Sequence, residues 1–341
     1  MRVSAPTSSP IPGPSPAPPV LVDLHQHLWP EPLVEALRRR LSAPRLDGWT
    51  LHLDGEPPYA VNPADHDPVA RRAATDTVLG TDGLALISLS SPLGLEALPV
   101  DEAAPLLDLW HDGAAALAPQ FGAWASVSSR EPDLGDLAGR LAPGSGGGFV
   151  GLQVPASDLL TPSAVERLAP VLAVAEAADR PVFVHPGPVP APANGSAADR
   201  AGLPSWWVAT VDYPAQLQAA WWAWLVAGRS LLPRLRICFG AAAGLAPLQH
   251  ERHTARGGRP PVVDPLTFVE VSSYGEQGLD GLLRSLGIDP LVFGTDTPYV
   301  PASGPAAIPA LRKLGPAAER AVRSVNPLRL LTGRPLEGHT A

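Results

Sequence analysis

Val20-Leu21-Val22-Asp23-Leu24-His25-Gln26-His27-Leu28 is the stretch whose reading decides the architecture. Its Val and Leu content and its length read as a buried β-strand. A doubly wound open sheet would follow such a strand with a G-x-G-x-x-G turn, whereas this one runs into Leu24-His25-Gln26-His27. Seven similar runs follow at 83–90, 121–128, 149–155, 181–186, 235–241, 267–273 and 291–296. Most are near-continuous apolar sequence without strict alternation, as parallel strands covered on both faces require. The spacers carry helix signals, among them 101–117, 163–178 opened by Thr161-Pro162, and 214–226. Eight such units make a closed (β/α)8 barrel, which needs about 250 residues and tolerates insertions. The expectation is therefore an α/β protein with one TIM-type barrel over residues 20–341.

The composition narrows the function classes. The chain has 341 residues, 45% hydrophobic and 17% charged, with 43 Pro and 32 Gly. A net charge of −8 without a basic block gives no source for counterion release, so no nucleic-acid partner is expected. The longest uninterrupted apolar run, 219–227, falls far short of the roughly 20 residues that span a bilayer, so no membrane segment is expected. A single cysteine, Cys238, excludes an intrachain disulfide and fits a reducing, cytoplasmic setting. Residues 1–19 are rich in Pro and Ser, lack the apolar core of a secretory signal, and read as a disordered tail. In an unexported protein Asn194-Gly195-Ser196 is a chance match to a glycosylation acceptor.

Two interruptions stand out. In the insertion 42–68, residues 49–53 and 59–61 flank Asp54-Gly55-Glu56-Pro57-Pro58, the pattern of a small hairpin after the first helix. Its place suits a lid over the barrel mouth, with Trp49, His52 and Tyr59 reaching substrate, against the alternative of a surface excursion packed on the barrel's side. The Gly-rich stretch 143–148 leads into a strand, so it reads as a connection; a phosphate cradle would lead into a helix.

Side chains at i and i+2 of a strand share a face, which sends His25 and His27 together into the barrel mouth. His185 ends the fifth run and Asp296 the eighth, so all four groups meet at the C-terminal mouth, where barrel enzymes keep their chemistry. Converging imidazoles there have the chemistry to chelate one cation.

Val22-Asp23-Leu24-His25-Gln26-His27, Pro181-Val182-Phe183-Val184-His185-Pro186, Gly294-Thr295-Asp296-Thr297-Pro298 and Asn326-Pro327-Leu328-Arg329-Leu330-Leu331 together resemble the amidohydrolase-related metal-dependent hydrolases. The resemblance is strongest to the branch that includes aminocarboxymuconate semialdehyde decarboxylase, and it spans most of the chain. It implies a (β/α)8 barrel with a metal at the mouth, usually zinc, and the hydrolysis or decarboxylation of small molecules. It implies His25, His27, His185 and Asp296 as ligands, with Asp296 also accepting a proton from activated water. Three imidazoles and one carboxylate suit zinc, or manganese or iron with a larger shell. Two-metal relatives bridge their ions from the fourth strand with a carboxylated lysine or a glutamate. Here that strand reads Gly151-Leu152-Gln153-Val154, and Lys313 is the only lysine, so at most one metal is expected. Gln153 reads either as a hydrogen-bond donor to substrate facing the mouth or as an amide at the edge of the core.

The sixth strand departs from the family pattern. Relatives carry there a histidine followed by two glycines and a proline, and this chain reads Gly240-Ala241-Ala242-Ala243-Gly244-Leu245-Ala246-Pro247 with Ala241 in the histidine's place. His250 and His253, at helical i, i+3 spacing, are the candidates to replace it as acid or base, against the alternative of a solvated face shared with Glu251 and Arg252. Counting back by twos from Ala241 places Phe239 inward and Cys238 outward, against the helices. Trp206 and Trp207 follow the fifth strand and are candidates to stack on an unsaturated substrate. Trp221 and Trp224 share a helix face with Leu217, as core or subunit interface, which permits a homodimer without requiring one.

The first functional expectation is a mononuclear metal-dependent hydrolase of an amide, ester or lactone of a small organic acid. The alternatives are a non-oxidative decarboxylase of the same family and a catalytically degraded barrel with a binding role.

Overall fold

Apolar residues fill most positions of eight parallel strands, with the polar ones gathered towards the strand ends. These are β1 (Val22–His27), β5 (Leu84–Ser88), β6 (Gly122–Ala125), β7 (Phe149–Pro155), β8 (Val182–His185), β9 (Ile237–Phe239), β10 (Thr267–Glu270) and β11 (Leu291–Val292). They hydrogen-bond in that order. Leu24 N–H donates to Phe293 O at 3.0 Å and His27 N–H to Thr297 O at 2.7 Å, bringing the last strand back to the first and closing the barrel. This computed structural model describes residues 20–54, 56–144, 149–189, 202–300 and 307–334. The expected tail 1–19, the Gly-rich 145–148 and the Asn194 triplet lie outside the described residues. Among the described residues no helix is long and apolar enough to cross a membrane.

Two apolar layers form the core. One cluster takes Val22, Leu24, Leu86, Trp124, Phe183, Cys238, Phe268 and Val292 from strands all round the barrel, with Leu330 from the C-terminal helix Asn326–Thr332. It is the filled interior, as in barrels generally. Cys238 belongs to it, paired in register with Phe183 and Phe268, while Phe239 faces Trp221 of the helix Tyr213–Ala223 at 5.3 Å between ring centres. The inward and outward assignment expected for these two residues is thus reversed. The chain leaves strand geometry at Ala241, where five residues from Ala241 to Leu245 take positive φ, and counting by twos across such a break loses the parity. Trp221 and Trp224 are fully buried in the outer layer between strands and helices, as core.

The helices begin where the sequence signals them. Thr161 Oγ1 accepts from Ala164 N–H at 3.2 Å, and Pro162 opens the helix Pro162–Ala177. The insertion holds three antiparallel strands, one more than the expected hairpin: β2 (Arg45–Asp47), β3 (Thr50–His52) and β4 (Tyr59–Ala60). β2 turns into β3 at Gly48, whose φ of 62° suits a residue without Cβ. Arg45-Leu46-Asp47 has too little β-branched or aromatic content to announce a strand by itself.

Candidate metal centre and its cavity

β1 delivers two of the candidate ligands because it is not a regular strand. Its register against β5 shifts between Asp23 and Gln26. The bulge lets Leu24 point into the barrel interior while its neighbour His25 also faces inward, above Phe183 at 5.0 Å. Asp23 faces the other way and is fully buried. It accepts from His25 N–H (3.1 Å), Gln26 Nε2 (2.7 Å), Thr295 N–H (3.0 Å) and Thr295 Oγ1 (2.7 Å), stapling the first strand to the segment after the last. Burial pushes its pKa up despite those four bonds. Arg71 completes the underside, donating to His27 O and Gln26 Oε1 at 2.7 Å each.

His25, His27, His185 and Asp296 converge, with one ligand atom from each lying within 4.8 Å of all the others. His25 Nε2 and His27 Nε2 are 3.0 Å apart, and Asp296 Oδ1 lies 3.4 and 3.3 Å from them. Asp296 sits at φ 57°, a left-handed conformation that Asp tolerates better than most residues, and this turns its carboxylate back over the strand ends. The outer ring nitrogens all face acceptors: His27 Nδ1 meets Ser88 O at 3.1 Å, His185 Nδ1 meets Pro186 O at 2.8 Å, and His25 Nδ1 meets Glu270 Oε2 at 3.0 Å. Each ring therefore donates outward from Nδ1 and aims its Nε2 lone pair inward. Three ring nitrogens and a carboxylate converging this closely share protons when no metal is bound, and their type and number fit a single divalent cation in exchange for those protons.

Burial opposes charging of all three rings. In His25 the carboxylates of Asp296, Glu270 and Asp23 outweigh it and push the pKa up to about 8. In His27, burial and then the neighbouring His25 hold it well below its ordinary value, and in His185 burial and then His27 and His25 do the same. Burial raises the Asp296 carboxyl.

Glu270 is the functional position that sequence reasoning missed. Fully buried at the end of β10, it orients His25, accepts from Ala241 N–H at 3.1 Å and from Ser272 Oγ at 2.8 Å, and bonds Ser272 N–H. A glutamate ending Thr267-Phe268-Val269-Glu270, at the strand level of the candidate ligands, was the available signal.

A cavity of about 470 Å³ opens above the cluster. His25, His185, Asp296 and Ala241 line its floor, and Tyr59, Tyr213, Tyr299, Trp207 and several prolines its walls. Of the insertion residues expected to reach substrate, Tyr59 lines this cavity, joined by Leu53 and Glu56. Trp49 and His52 do not. Trp49 stacks parallel to His66 and under Arg38 on the insertion's inner side, and His52 pairs with Arg45 in the sheet. Trp207 faces the cavity while Trp206 is 55% exposed outside it. Gln153 lies beneath the mouth, where Nε2 donates to Leu89 O and Ser91 Oγ at 2.7 Å each, the core-edge placement, and it is not among the cavity's lining residues. His250 accepts from Trp221 Nε1 at 3.1 Å, and His253 packs 5.2 Å from the Trp222 ring. Both sit in the outer helical layer, and neither lines the cavity that Ala241 faces. The short helix His250–Ala255 that carries them follows the left-handed turn, which directs the chain away from the mouth.

No family model matches the chain, and none of the curated proteins does. Solved structures share its fold. IDCase of Metarhizium anisopliae superimposes with a TM-score of 0.73 at 19% identity over 92% of this chain and 97% of that one. The 5-carboxyvanillate decarboxylase of Sphingomonas paucimobilis gives 0.66 at 20% identity over 92% and 98%. That of Novosphingobium aromaticivorans gives 0.62 at 15% identity over 92% and 97%, and its structure holds manganese. The fold is thus shared with structures named as amidohydrolases and with several named as decarboxylases.

Proposed function

We propose that this protein is a metal-dependent, non-oxidative decarboxylase of a small aromatic or unsaturated carboxylic acid. The observation that carries the reading is the composition of the cavity. Its walls are apolar and phenolic, and its described lining holds no lysine or arginine to receive a carboxylate. A substrate carboxylate is therefore recognised at the floor, where His25, His27, His185 and Asp296 would hold a divalent cation. When bound, such a cation would neutralise the substrate's anionic end and fix its orientation against Asp296. Trp207 and the prolines bury the ring and exclude water. Asp296 is the floor carboxyl placed to give a proton to the ring carbon, after which the carbon–carboxylate bond breaks, its electron pair returns to the ring, and CO2 leaves. Ala241 supplies no acid or base, which leaves this proton transfer to Asp296. The likeness to decarboxylases favours this reading over the hydrolytic one.

The test is incubation of protein loaded with manganese or zinc with 5-carboxyvanillate and with ortho-hydroxybenzoates in D2O. The expected result is CO2 release with deuterium at the vacated carbon, abolished by chelation. Cleavage of esters or lactones without CO2 release would restore the hydrolytic reading. Ligand binding without turnover on either class would assign the protein a binding role.

A further inference from the structure

The segment that follows β5 carries part of the cavity wall. Ser90, Pro92 and Leu93 line the cavity, and just before them Ser88 O receives His27 Nδ1. Ser90 Oγ accepts from Trp29 Nε1 and bonds Tyr299 Oη, both at 3.0 Å. On the core side Gln153 Nε2 donates to Leu89 O and Ser91 Oγ, and the Ser91 hydroxyl donates in turn to Glu96 Oε1 at 2.5 Å. Leu93 N–H and Gly94 N–H close the turn on Ser90 O and Ser91 O at 2.8 Å each. Glu96 itself is fully buried and is not among the cavity's lining residues, so its side chain reaches the wall through Ser91.

The bonds of Glu96 fall on one oxygen. Oε1 accepts from Ser91 Oγ and from Ser126 Oγ at 3.1 Å, whereas the buried Oε2 has no hydrogen-bond partner among the described residues. Two donors on one oxygen and none on the other is the pattern of a protonated carboxyl, in which the carbonyl oxygen accepts and the hydroxyl oxygen carries the proton. Loss of that proton leaves a bare, charged oxygen in the core. Three groups face it from the elements packed around it. Asp158, bonded to Ser129 Oγ, adds a second carboxyl; His111 Nε2 is occupied by Ser126 N–H; and Arg130 Nε is held at Ala97 O at 2.7 Å. Water can solvate the charged oxygen once the hydroxyls around it move, and movement of Ser91 carries the cavity wall with it.

We propose that Glu96 is a positioning residue of the candidate site, holding the wall at residues 90–93 in its ligand-binding arrangement through Ser91. It does so as the neutral acid. Burial pushes its pKa up to about 7, so the wall is held below that value and loosens as pH rises through it. The inference rests on the proposed function only in taking the cavity as the place where a carboxylate binds.

Hydrogen exchange of full-length, manganese-loaded protein reads the wall without a ligand. After correction for intrinsic rates, the Leu93 and Gly94 amides should exchange about fivefold faster at pH 8 than at pH 6. Glu96→Gln, a neutral isostere, should keep the slow rate throughout. Calorimetric titration with 2-hydroxybenzoate, whose charge is constant over this range, should show the same step as about fivefold weaker binding, absent in Glu96→Gln at equal manganese content. Ser91→Ala cuts the link and should give fast exchange and weak binding at every pH. A step missing from wild-type exchange, one that persists in either variant, or an exchange step with no matching step in affinity overturns the proposal. Failure of the decarboxylase reading shows separately, as binding without CO2 release. Absence of any 2-hydroxybenzoate binding removes the carboxylate reading of the cavity, and the exchange step alone then decides whether Glu96 holds the wall.

Discussion

Two buried clusters on this barrel combine histidine and carboxylate, and they are built to opposite ends. At the mouth, His25, His27 and His185 turn their lone pairs towards one another and Asp296 joins them. On the flank, fully buried Glu96 accepts from Ser91 Oγ at 2.5 Å and Ser126 Oγ at 3.1 Å, Gln153 donates to the same Ser91, and His111 Nε2 accepts from Ser126 N–H at 3.0 Å. Hydroxyl protons surround the flank carboxyl, and its histidine nitrogen is spent on a backbone amide. Burial lifts Glu96 to about 7 and lowers His111 to about 3. The flank cluster is close to neutral by keeping its proton; the mouth cluster needs a cation. Residue type and burial are alike in the two, so what marks a metal site is where the protons are.

The largest expected effect breaks the mouth. His185→Ala and His25→Ala should each lower manganese or zinc affinity by at least about 100-fold with the fold intact, read by elemental analysis after dialysis and by circular dichroism. Unchanged occupancy in both variants would remove the assignment. The next effect belongs to the flank. Glu96 has a folded pKa above its unfolded value of 4.5, so the folded state binds the extra proton between pH 4.5 and about 7. Stability contributed by the neutral carboxyl is present at the acid end of that window, declines as pH rises through it, and levels off above about 7. Urea unfolding from pH 5 to pH 8 should show a loss of about 3 kcal/mol that Glu96→Gln abolishes without touching metal content.

A smaller effect tests how the mouth is held. Glu270→Gln keeps shape and one acceptor at His25 Nδ1 but loses the charge, and should weaken metal binding by about 10–100-fold, measured by competition with a chromogenic chelator. The same affinity as wild type would reduce Glu270 to packing. The smallest effect concerns His250. His250→Ala should leave turnover unchanged and cost about 1 kcal/mol of stability in thermal unfolding, because Trp221 Nε1 loses its acceptor. A collapse in rate would return this histidine to the chemistry.

The barrel strands, their number and the convergence of the four candidate ligands were legible in the chain, because apolar runs of strand length between amphipathic helices have few other packings and because strand ends in a barrel share one mouth. His25 and His27 carried their own signal, being two apart on a strand. Everything that depended on a break in that period was not legible. The bulge in β1 seats Leu24 and His25 on the same side, and the left-handed run from Ala241 to Leu245 cuts Cys238 off from the parity counted back from Ala241. Glu270 and Glu56 looked like ordinary acids until the fold brought one behind His25 and the other over the cavity, 245 and 31 residues along the chain from that histidine. Trp49 and Tyr59 belong to one small insertion, and only its packing on the barrel decided which of them lines the cavity. Periodicity is a local property that a sequence carries in itself, whereas the meeting of distant side chains is set by how the elements pack.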